Sequence, residues 1–269
     1  AHNLRGYLGD SLFRAGARAA MATTKFSDWT SADFRDQLEA ATGRNLHDFF
    51  EDWVFAGGYP DYSLDSVQWI YSPIDAPTIA RVFVKQKLRG APHFHHKVPL
   101  EFTFVGQNGA RTYRSAVVSG ENSVVEFTFN AFSPKPRFIF VNSNLKLAQA
   151  RSEQERVIKA PGAQSFSLAK MSLSVSAVQD SAFVRVEHHF AMPDSAGIAN
   201  PQKIRLTNRY WAVEGTFPTG FLARATINYD GRGQGDQLDT ELFSQTGPNE
   251  DSILLLYRSA PGQPWVEYP

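Results

Sequence analysis

Histidine is the commonest protein ligand of metal ions, and this chain has seven of them. A zinc peptidase site of the H-E-x-x-H type needs two histidines at positions i and i+4 of one helix, with a glutamate directly after the first. Both imidazoles then reach one metal ion, and the carboxylate activates the water bound to it. No histidine in the sequence is followed by glutamate, so this motif is absent. The seven are His2, His47, His93, His95, His96, His188 and His189.

Two groups of histidines remain as candidates for metal binding. His93 and His95 could lie on one face of a strand, but a catalytic zinc site also needs a third ligand and an open position. Because the sequence identifies no third ligand, it favours a solvated loop beside a strand. His188 and His189 are adjacent in a predicted strand, so they should point to opposite faces and share no metal ion. The sequence therefore assigns no metal ligand, cofactor ligand or catalytic residue to this chain.

A glycine-rich segment over residues 230–236 combines carboxylates with turn residues, as calcium-binding loops do. It contains Asp230 and Asp236, and Asp239 follows it. The spacing differs from that of an EF-hand loop, which favours a plain turn over a calcium site. Its three glycines do not form the G-x-G-x-x-G pattern, and no helix pattern follows, so a dinucleotide site is not expected. These glycines are Gly231, Gly233 and Gly235.

Aromatic and acidic residues could also form sites. Four aromatic residues could provide a stacking platform for sugars, although aromatic residues of β domains more often pack in the core or at an edge. Packing is therefore the favoured interpretation for Trp69, Tyr71, Trp211 and Trp265. Glu101 and Glu126 could act as paired acids in an independent β-rich enzyme, but such a pair cannot be recognised before the fold is known.

The composition excludes several classes of function. The 269 residues include 27 lysines and arginines and 27 aspartates and glutamates, so no net charge attracts nucleic acid or an anionic membrane. Cysteine is absent, which excludes thiol nucleophiles, disulfides and cysteine-ligated zinc. No run of about 18 apolar residues occurs, so we expect no membrane span. The first residues also lack the pattern of a signal peptide.

Residues 1–60 have the apolar spacing of three helices. The first is expected from about Asp10, a good N-cap, and the second from Ser31 to a stop at Gly43. The third has a complete apolar stripe over residues 46–54, with His47, Asp48, Glu51 and Asp52 on the opposite face. Three short helices cannot bury such faces well among themselves, so we expect this segment to pack on something else.

From Tyr62 onward the period changes to two, which predicts strands. Alternation over residues 82–88, 98–104, 125–129 and 137–141 predicts an antiparallel β-sandwich of six or seven strands within 61–148. Residues 149–163 lack this period and are predicted to be a linker with room for one short helix.

Alternation resumes in the last part of the chain. About seven strands are predicted within 164–269, which is the size of an immunoglobulin-like or fibronectin-like sandwich. The candidates are 171–175, 183–190, 204–210, 221–229, 253–257 and 264–268. The predicted fold class is mainly β, with a short N-terminal α-helical segment followed by two β-sandwich domains.

Several short motifs follow one another in a fixed order over residues 1–64. The first is Leu4-Arg5-x-x-Leu8-Gly9-Asp10 with Phe13 behind it, and Phe26 and Asp33-Phe34 come next. The last group is Thr42-Gly43, Asn45-Leu46, Phe49-Phe50, Trp53-Val54 and Gly58-Tyr59-Pro60. In this combination and order, the motifs resemble the end of the catalytic domain in the aminopeptidase N family of zinc metallopeptidases.

This resemblance implies a place in a larger protein. A small β-sandwich follows the catalytic domain in that family, and residues 61–148 occupy the same position. The zinc-binding histidines, the activating glutamate, the third ligand and the transition-state tyrosine would all lie upstream of Ala1. No catalytic role therefore carries over to any residue of this chain. Zinc is implied for the parent protein, with the upstream catalytic domain as a partner and peptide as the substrate.

Two hypotheses about function follow. In the first, the chain is the non-catalytic C-terminal part of a zinc aminopeptidase-like protein, buttresses the catalytic domain and presents two sandwiches. In the alternative, the parent has lost its zinc motif, and the sandwiches act as a binding or scaffolding module for protein or glycan. Exposure of Trp211 and Trp265 on one face would favour the alternative. Appended sandwich domains also suggest export to the periplasm, the cell surface or the medium.

Overall fold

The computed structural model describes residues 1–23, 28–70, 77–106, 109–130, 136–195, 197–199, 202–229, 239 and 252–268. The chain divides into two compact units, Ala1–Gln149 and Ala150–Pro269. Small antiparallel sheets dominate both units, and a helical segment begins the first. The expected class, mainly β with a short N-terminal helical segment, is confirmed. None of the helices in the described ranges is long and apolar enough to cross a membrane.

Glycine and capping residues shape the first two helices. Helix α1, His2–Thr23, starts before the predicted Asp10 and is interrupted at Gly9, whose φ of 75° is left-handed. Asp10 forms a bidentate pair with Arg5 across this kink. Helix α2, Ser31–Thr42, begins with a capping box between Thr30 and Asp33 and ends at the left-handed Gly43, as predicted.

The third helix changes its geometry part of the way along. Helix α3, His47–Phe50, continues into a π-helical turn, Glu51–Phe55, in which the Ala56 N–H donates to the Glu51 carbonyl at 3.1 Å. This i→i+5 bond widens the helix, so side chains after Phe50 no longer follow the 3.6-residue period. Asp52, which that period places on the solvent face, is only 2% exposed.

The helices bury more apolar surface than the sequence suggests. One cluster joins all three, with further aromatic side chains packed around it, so the helices cover part of their apolar faces themselves. Met21, Val54 and Phe55 nevertheless stay exposed, as expected of a segment that packs on something else. The buried members of the cluster are Leu4, Leu8, Leu38, Leu46, Phe49 and Phe50. Tyr7 and Trp53 complete the packing and join through a hydrogen bond from the indole Nε1 to the phenol oxygen, at 3.0 Å.

In the part of the first unit that the structure describes, two three-stranded antiparallel sheets follow the helices. One has the order β1-β2-β5, from Tyr59–Ile70, Thr78–Arg89 and Asn122–Phe129. The other has the order β4-β3-β6, from Arg111–Val118, Val98–Val105 and Phe138–Val141. Alternate side chains of both sheets, among them Val82, Val84, Leu100, Phe102 and Phe127, enter one apolar cluster.

Within its described residues, the second unit contains two three-stranded sheets and a short strand pair. One sheet has the order β11-β10-β7, from Tyr210–Thr216, Ala182–His189 and Arg151–Ile158. The other has the order β12-β9-β8, from Leu222–Ile227, Met171–Ala177 and Gly162–Phe166. Strands β13, Leu256–Tyr257, and β14, Val266–Glu267, form the pair. The core cluster includes Ile158, Phe166, Leu173, Val184 and Val186.

Two local predictions in this unit are wrong. The supposed linker over 149–163 contains β7 and the start of β8, because one face of β7 carries charged residues that pair with β10 rather than apolar residues. The strand predicted over 204–210 begins only at Tyr210, which pairs with His189. Ile204 and Leu206 are half-buried without belonging to a ladder, so apolar alternation alone was misleading there.

Candidate metal centre

Three side chains that can ligate a metal converge at one place in the first unit. The Asp52 Oδ1 atom lies 3.4 Å from His93 Nδ1 and 3.8 Å from His96 Nδ1. The three ligand atoms all lie within 4.8 Å of one another, and in the described part of the chain no other set of three such residues does so. Asp52 is buried, whereas the side chains of His93 and His96 are 45% and 55% exposed.

The π-helical turn places Asp52 beneath the two imidazoles. Its Oδ2 atom accepts the backbone N–H of His96 at 2.6 Å, which fixes the carboxylate and leaves Oδ1 beside the rings. Burial raises the pKa of Asp52, and the His96 N–H together with the two nearby imidazoles partly opposes that rise. The carboxylate is therefore desolvated but held in one orientation.

The loop that carries the histidines, residues 91–97, is fixed by a buried amide. Gln86 of β2 donates to the His95 carbonyl at 3.1 Å and accepts the His95 N–H at 2.7 Å. The Lys97 N–H donates to Ser119 Oγ at 2.7 Å, and the Lys97 ammonium pairs with Asp48 at 2.7 Å. The side chain of His95 is buried, whereas those of His93 and His96 lie on the outer side of the loop.

A close backbone approach brings this loop to the helical segment. Gly58 has a φ of 94°, and a Cβ atom there would overlap the backbone of Gly90 and Ala91. Glycine is therefore required both by its left-handed conformation and by the space available. The contact lies just after the π-helical turn and just before the histidine loop, so it helps to set their separation.

Replacing Gly58 with alanine should lower the free energy of unfolding of the first unit by about 2 kcal/mol, because the strained conformation and the backbone overlap act together. Gly90 is the matched control, since its φ of 67° is also left-handed but no atom beyond its two chain neighbours lies within 4 Å of its Cβ position. Gly90→Ala should cost about 1 kcal/mol. Urea unfolding of the two variants measures the difference, and equal losses would show that the close approach has no effect.

The histidine prediction is only partly correct. Residues 91–97 form a loop, as favoured, but His93 and His95 do not share a face. His95 is fully buried with its ring edge-on to Trp53 at 4.5 Å, and His96 joins His93 instead. Asp52 is a potential third ligand that the sequence did not identify. No local signal indicates it, because 44 residues separate it from His96 and the helical period places it in solvent.

His188 and His189 point to opposite faces of β10, as predicted. His188 stacks on Trp211, with ring centroids 4.4 Å apart. His189 stacks on Tyr210 at 4.3 Å, and its Nε2 atom lies 3.2 Å from Glu187. Both rings are buried, so these histidines pack within the second unit.

The face of β10 that carries His189 is charged and buried. Glu187 lies between two arginines, 2.7 Å from Arg185 Nε and 3.3 Å from Arg151 Nη1. Glu153 also contacts both arginines, at 3.2 Å each. Both guanidinium groups are almost completely buried, so charges of opposite sign neutralise one another within the sheet.

The remaining candidate residues have other partners. His188 stacks on Trp211, and the Arg258 guanidinium lies over the Trp265 ring, with 4.4 Å between its central carbon and the ring centroid, so a side chain of the protein already covers a face of each ring. Trp69 packs on Phe129, and Tyr71 lies outside the described residues.

The acidic candidates are engaged as well. Glu101 is buried and contacts Thr103 and Ser143, whereas Glu126 pairs with Arg81 at the surface. Asp239 is buried against Arg209 at 2.6 Å. The glycine-rich segment 230–236 lies outside the described residues, so the calcium hypothesis stays untested.

Comparison with known proteins gives one informative match. No protein-family model matches the chain. Over 57 residues, or 21% of its length, the chain is 37% identical to "Probable aminopeptidase 2" of Sulfurisphaera tokodaii. The matched segment spans 7% of that protein's length. The chain therefore contains a region related to an aminopeptidase.

Proposed function

We propose that this chain is the non-catalytic C-terminal part of a zinc aminopeptidase-like protein, in which it buttresses an upstream catalytic domain. The observation that carries the proposal is the 37% identity to an aminopeptidase, in a chain where no histidine is followed by glutamate. The ordered motifs of residues 1–64 support the same relationship. The zinc ion, its ligands and the peptide substrate then belong to the parent protein.

Exposed apolar side chains in the helical segment support a docking role. These five large residues remain exposed although the helices bury a core of their own: Met21, Trp29, Val54, Phe55 and Tyr59. Where exposed apolar side chains form a contiguous patch, the patch commonly marks a protein interface. We propose that the upstream catalytic domain covers this surface and that both β units are sandwiches, the second immunoglobulin-like or fibronectin-like.

The parent's chemistry follows from the proposed relationship. A zinc-bound water would attack an N-terminal peptide bond, with an upstream glutamate as general base and an upstream tyrosine stabilising the oxyanion. The residues described above would take no part in that step. Their contribution would be to stabilise the catalytic domain and to present the two β units beside it.

Hydrolysis of aminoacyl chromogenic substrates tests the proposal directly. We expect no turnover by the chain alone and clear turnover by the parent that carries the upstream residues. Activity of the chain alone would refute the proposal. If the parent is also inactive, the alternative of a binding or scaffolding module from a pseudo-peptidase replaces it.

The docking surface makes a separate prediction. In the parent, Phe55→Asp should destabilise the assembled protein by about 2 kcal/mol, because a buried aromatic contact would be replaced by a desolvated charge. Val117→Asp on strand β4 is the control, since Val117 is also exposed but belongs to a strand rather than to the helical segment. Thermal unfolding of the parent should distinguish the two, and equal shifts would argue against docking at Phe55.

A further inference from the structure

We propose that Asp52, His93 and His96 bind one divalent transition metal ion of the zinc class. This site lies within the chain itself and is distinct from the zinc proposed for the parent's catalytic domain. Two imidazole nitrogens and one carboxylate oxygen form a donor set that suits such ions. The site therefore goes beyond the proposed function and does not depend on it.

The distances fit ligands around a common ion. Zinc bonds to histidine nitrogen and carboxylate oxygen are about 2.0–2.2 Å, which places neighbouring tetrahedral ligands about 3.3–3.6 Å apart. Asp52 Oδ1 lies 3.4 Å from His93 Nδ1 and 3.8 Å from His96 Nδ1. Because both imidazole side chains are exposed, small rotations of the rings can close the remaining difference without moving the backbone.

Direct hydrogen bonding explains the same geometry less well. A nitrogen–oxygen hydrogen bond is usually about 2.7–3.2 Å long, and both separations exceed that range. The two rings, with centroids 6.5 Å apart, also do not stack on one another as the histidines of the second unit stack on their aromatic neighbours. The histidines thus approach one carboxylate oxygen without bonding to it, which is the arrangement that a bridging cation would complete.

The surroundings orient the ligands before any metal arrives. Asp52 Oδ2 is held by the His96 N–H at 2.6 Å, a contact of the kind that outer-shell groups provide in metal sites. Asp52 also belongs to a π-helical turn, a feature that occurs often at functional sites. The Asp48 carboxylate beside the site is already paired with Lys97.

Binding at this site would have a structural consequence. Asp52 follows helix α3, whereas both histidines precede strand β3. The ion would therefore cross-link the helical segment to the sheets of the first unit. Three protein ligands leave a fourth position for water or another ligand on the exposed side of the histidines. Metal binding should therefore stabilise the first unit, because only the folded chain assembles the three ligands.

Titration of the metal-free chain with zinc chloride tests the proposal, using a chain that carries no affinity histidine tag. We expect one zinc ion to bind and the melting temperature to rise. His93→Ala and His96→Ala should each weaken binding by more than about 10-fold, since even outer-shell substitutions cost that much. His47→Ala is the matched control, because His47 is exposed in the adjacent helix and lies outside the cluster.

Cobalt provides a second readout. Co²⁺ bound by nitrogen and oxygen ligands should give a visible absorption band in the unmodified chain and in His47→Ala, but not in either of the other two variants. Circular dichroism of the metal-free variants shows whether they fold. Absence of zinc binding, or binding that His93→Ala and His96→Ala leave unchanged, would overturn the site. Hydrolytic activity is not measured, so failure here leaves the proposed function untouched.

Discussion

Replacing Glu187 with glutamine should lower the free energy of unfolding of the second unit by about 3 kcal/mol, the lower end of the usual cost of breaking a buried ion pair from one side, because Glu153 still contacts both arginines. The shape of the side chain is preserved, but the negative charge between Arg151 and Arg185 is lost. Both guanidinium groups are buried and cannot recover this interaction from water. Urea unfolding, followed through the total tryptophan fluorescence of the chain, measures the loss.

A surface pair provides the matched control for that experiment. Glu126 pairs with Arg81 at 2.7 Å, the same distance as Glu187 from Arg185, but the two side chains are 49% and 39% exposed. Glu126→Gln should therefore cost less than about 1 kcal/mol, since water replaces the lost interaction. Similar losses in Glu187→Gln and Glu126→Gln would show that burial does not strengthen the dependence on charge.

The lowered pKa of Glu187 makes the stability of the second unit depend on pH in the acid range. Burial raises the pKa of Glu187, but Arg151, a hydrogen bond with His189, and Arg185 outweigh that effect and hold the pKa well below its ordinary value of 4.5. The folded state therefore keeps Glu187 charged where the unfolded chain takes up a proton. Its contribution to stability is complete above pH 4.5 and is lost as the pH falls below that value.

Strand β7 is an example of a strand that hydrophobic periodicity does not predict. Apolar alternation predicted β9 and β10, whose inward residues include Leu173 and Val184. In β7 the alternating residues of one face are Arg151, Glu153 and Glu155, which resemble a charged linker until their partners on β10 are known. Hydrophobic periodicity cannot find a strand that buries ion pairs, because each charge is acceptable only with a neighbour distant in sequence.

The candidate metal site could not be predicted from the sequence for a related reason, since its residues are brought together by structure that has no sequence signal. Capping residues predicted the end of α2 at Gly43, since that signal is local. The π-helical turn after α3 has no comparable signal, and it moves Asp52 from the expected solvent face to the interior. The loop fold then separates His95 from His93 and His96 through hydrogen bonds to Gln86. The candidate ligand set therefore depends on a π-helical turn and on the side-chain hydrogen bonds of Gln86, and neither of these leaves a sequence motif.

His95 occupies an unusual position for a titratable side chain. Its ring is fully buried against Trp53, and within the described residues neither ring nitrogen has a hydrogen-bond partner. Burial, together with the neighbouring His93 and His96, lowers the pKa of His95 from 6.5 to about 4. Protonation is therefore resisted in the folded state and unhindered in the unfolded chain.

Replacing His95 with phenylalanine should remove an acid-sensitive component of the stability of the first unit. Between pH 6.5 and about 4 the unfolded chain binds more protons at this residue, so stability is complete above that window and falls through it by about 3 kcal/mol. At pH 5 the loss is about 2 kcal/mol. The packing cost of phenylalanine is the same at each pH, so the change in the free energy of unfolding between pH 7 and pH 5 reports the protonation of His95 alone.

Urea unfolding with a chelator present should show a smaller change between these two pH values in His95→Phe than in the unmodified chain. His47→Phe is altered at an exposed histidine and should keep the full change. An unaltered pH dependence in His95→Phe would mean that this ring is protonated as easily in the folded chain as in the unfolded one.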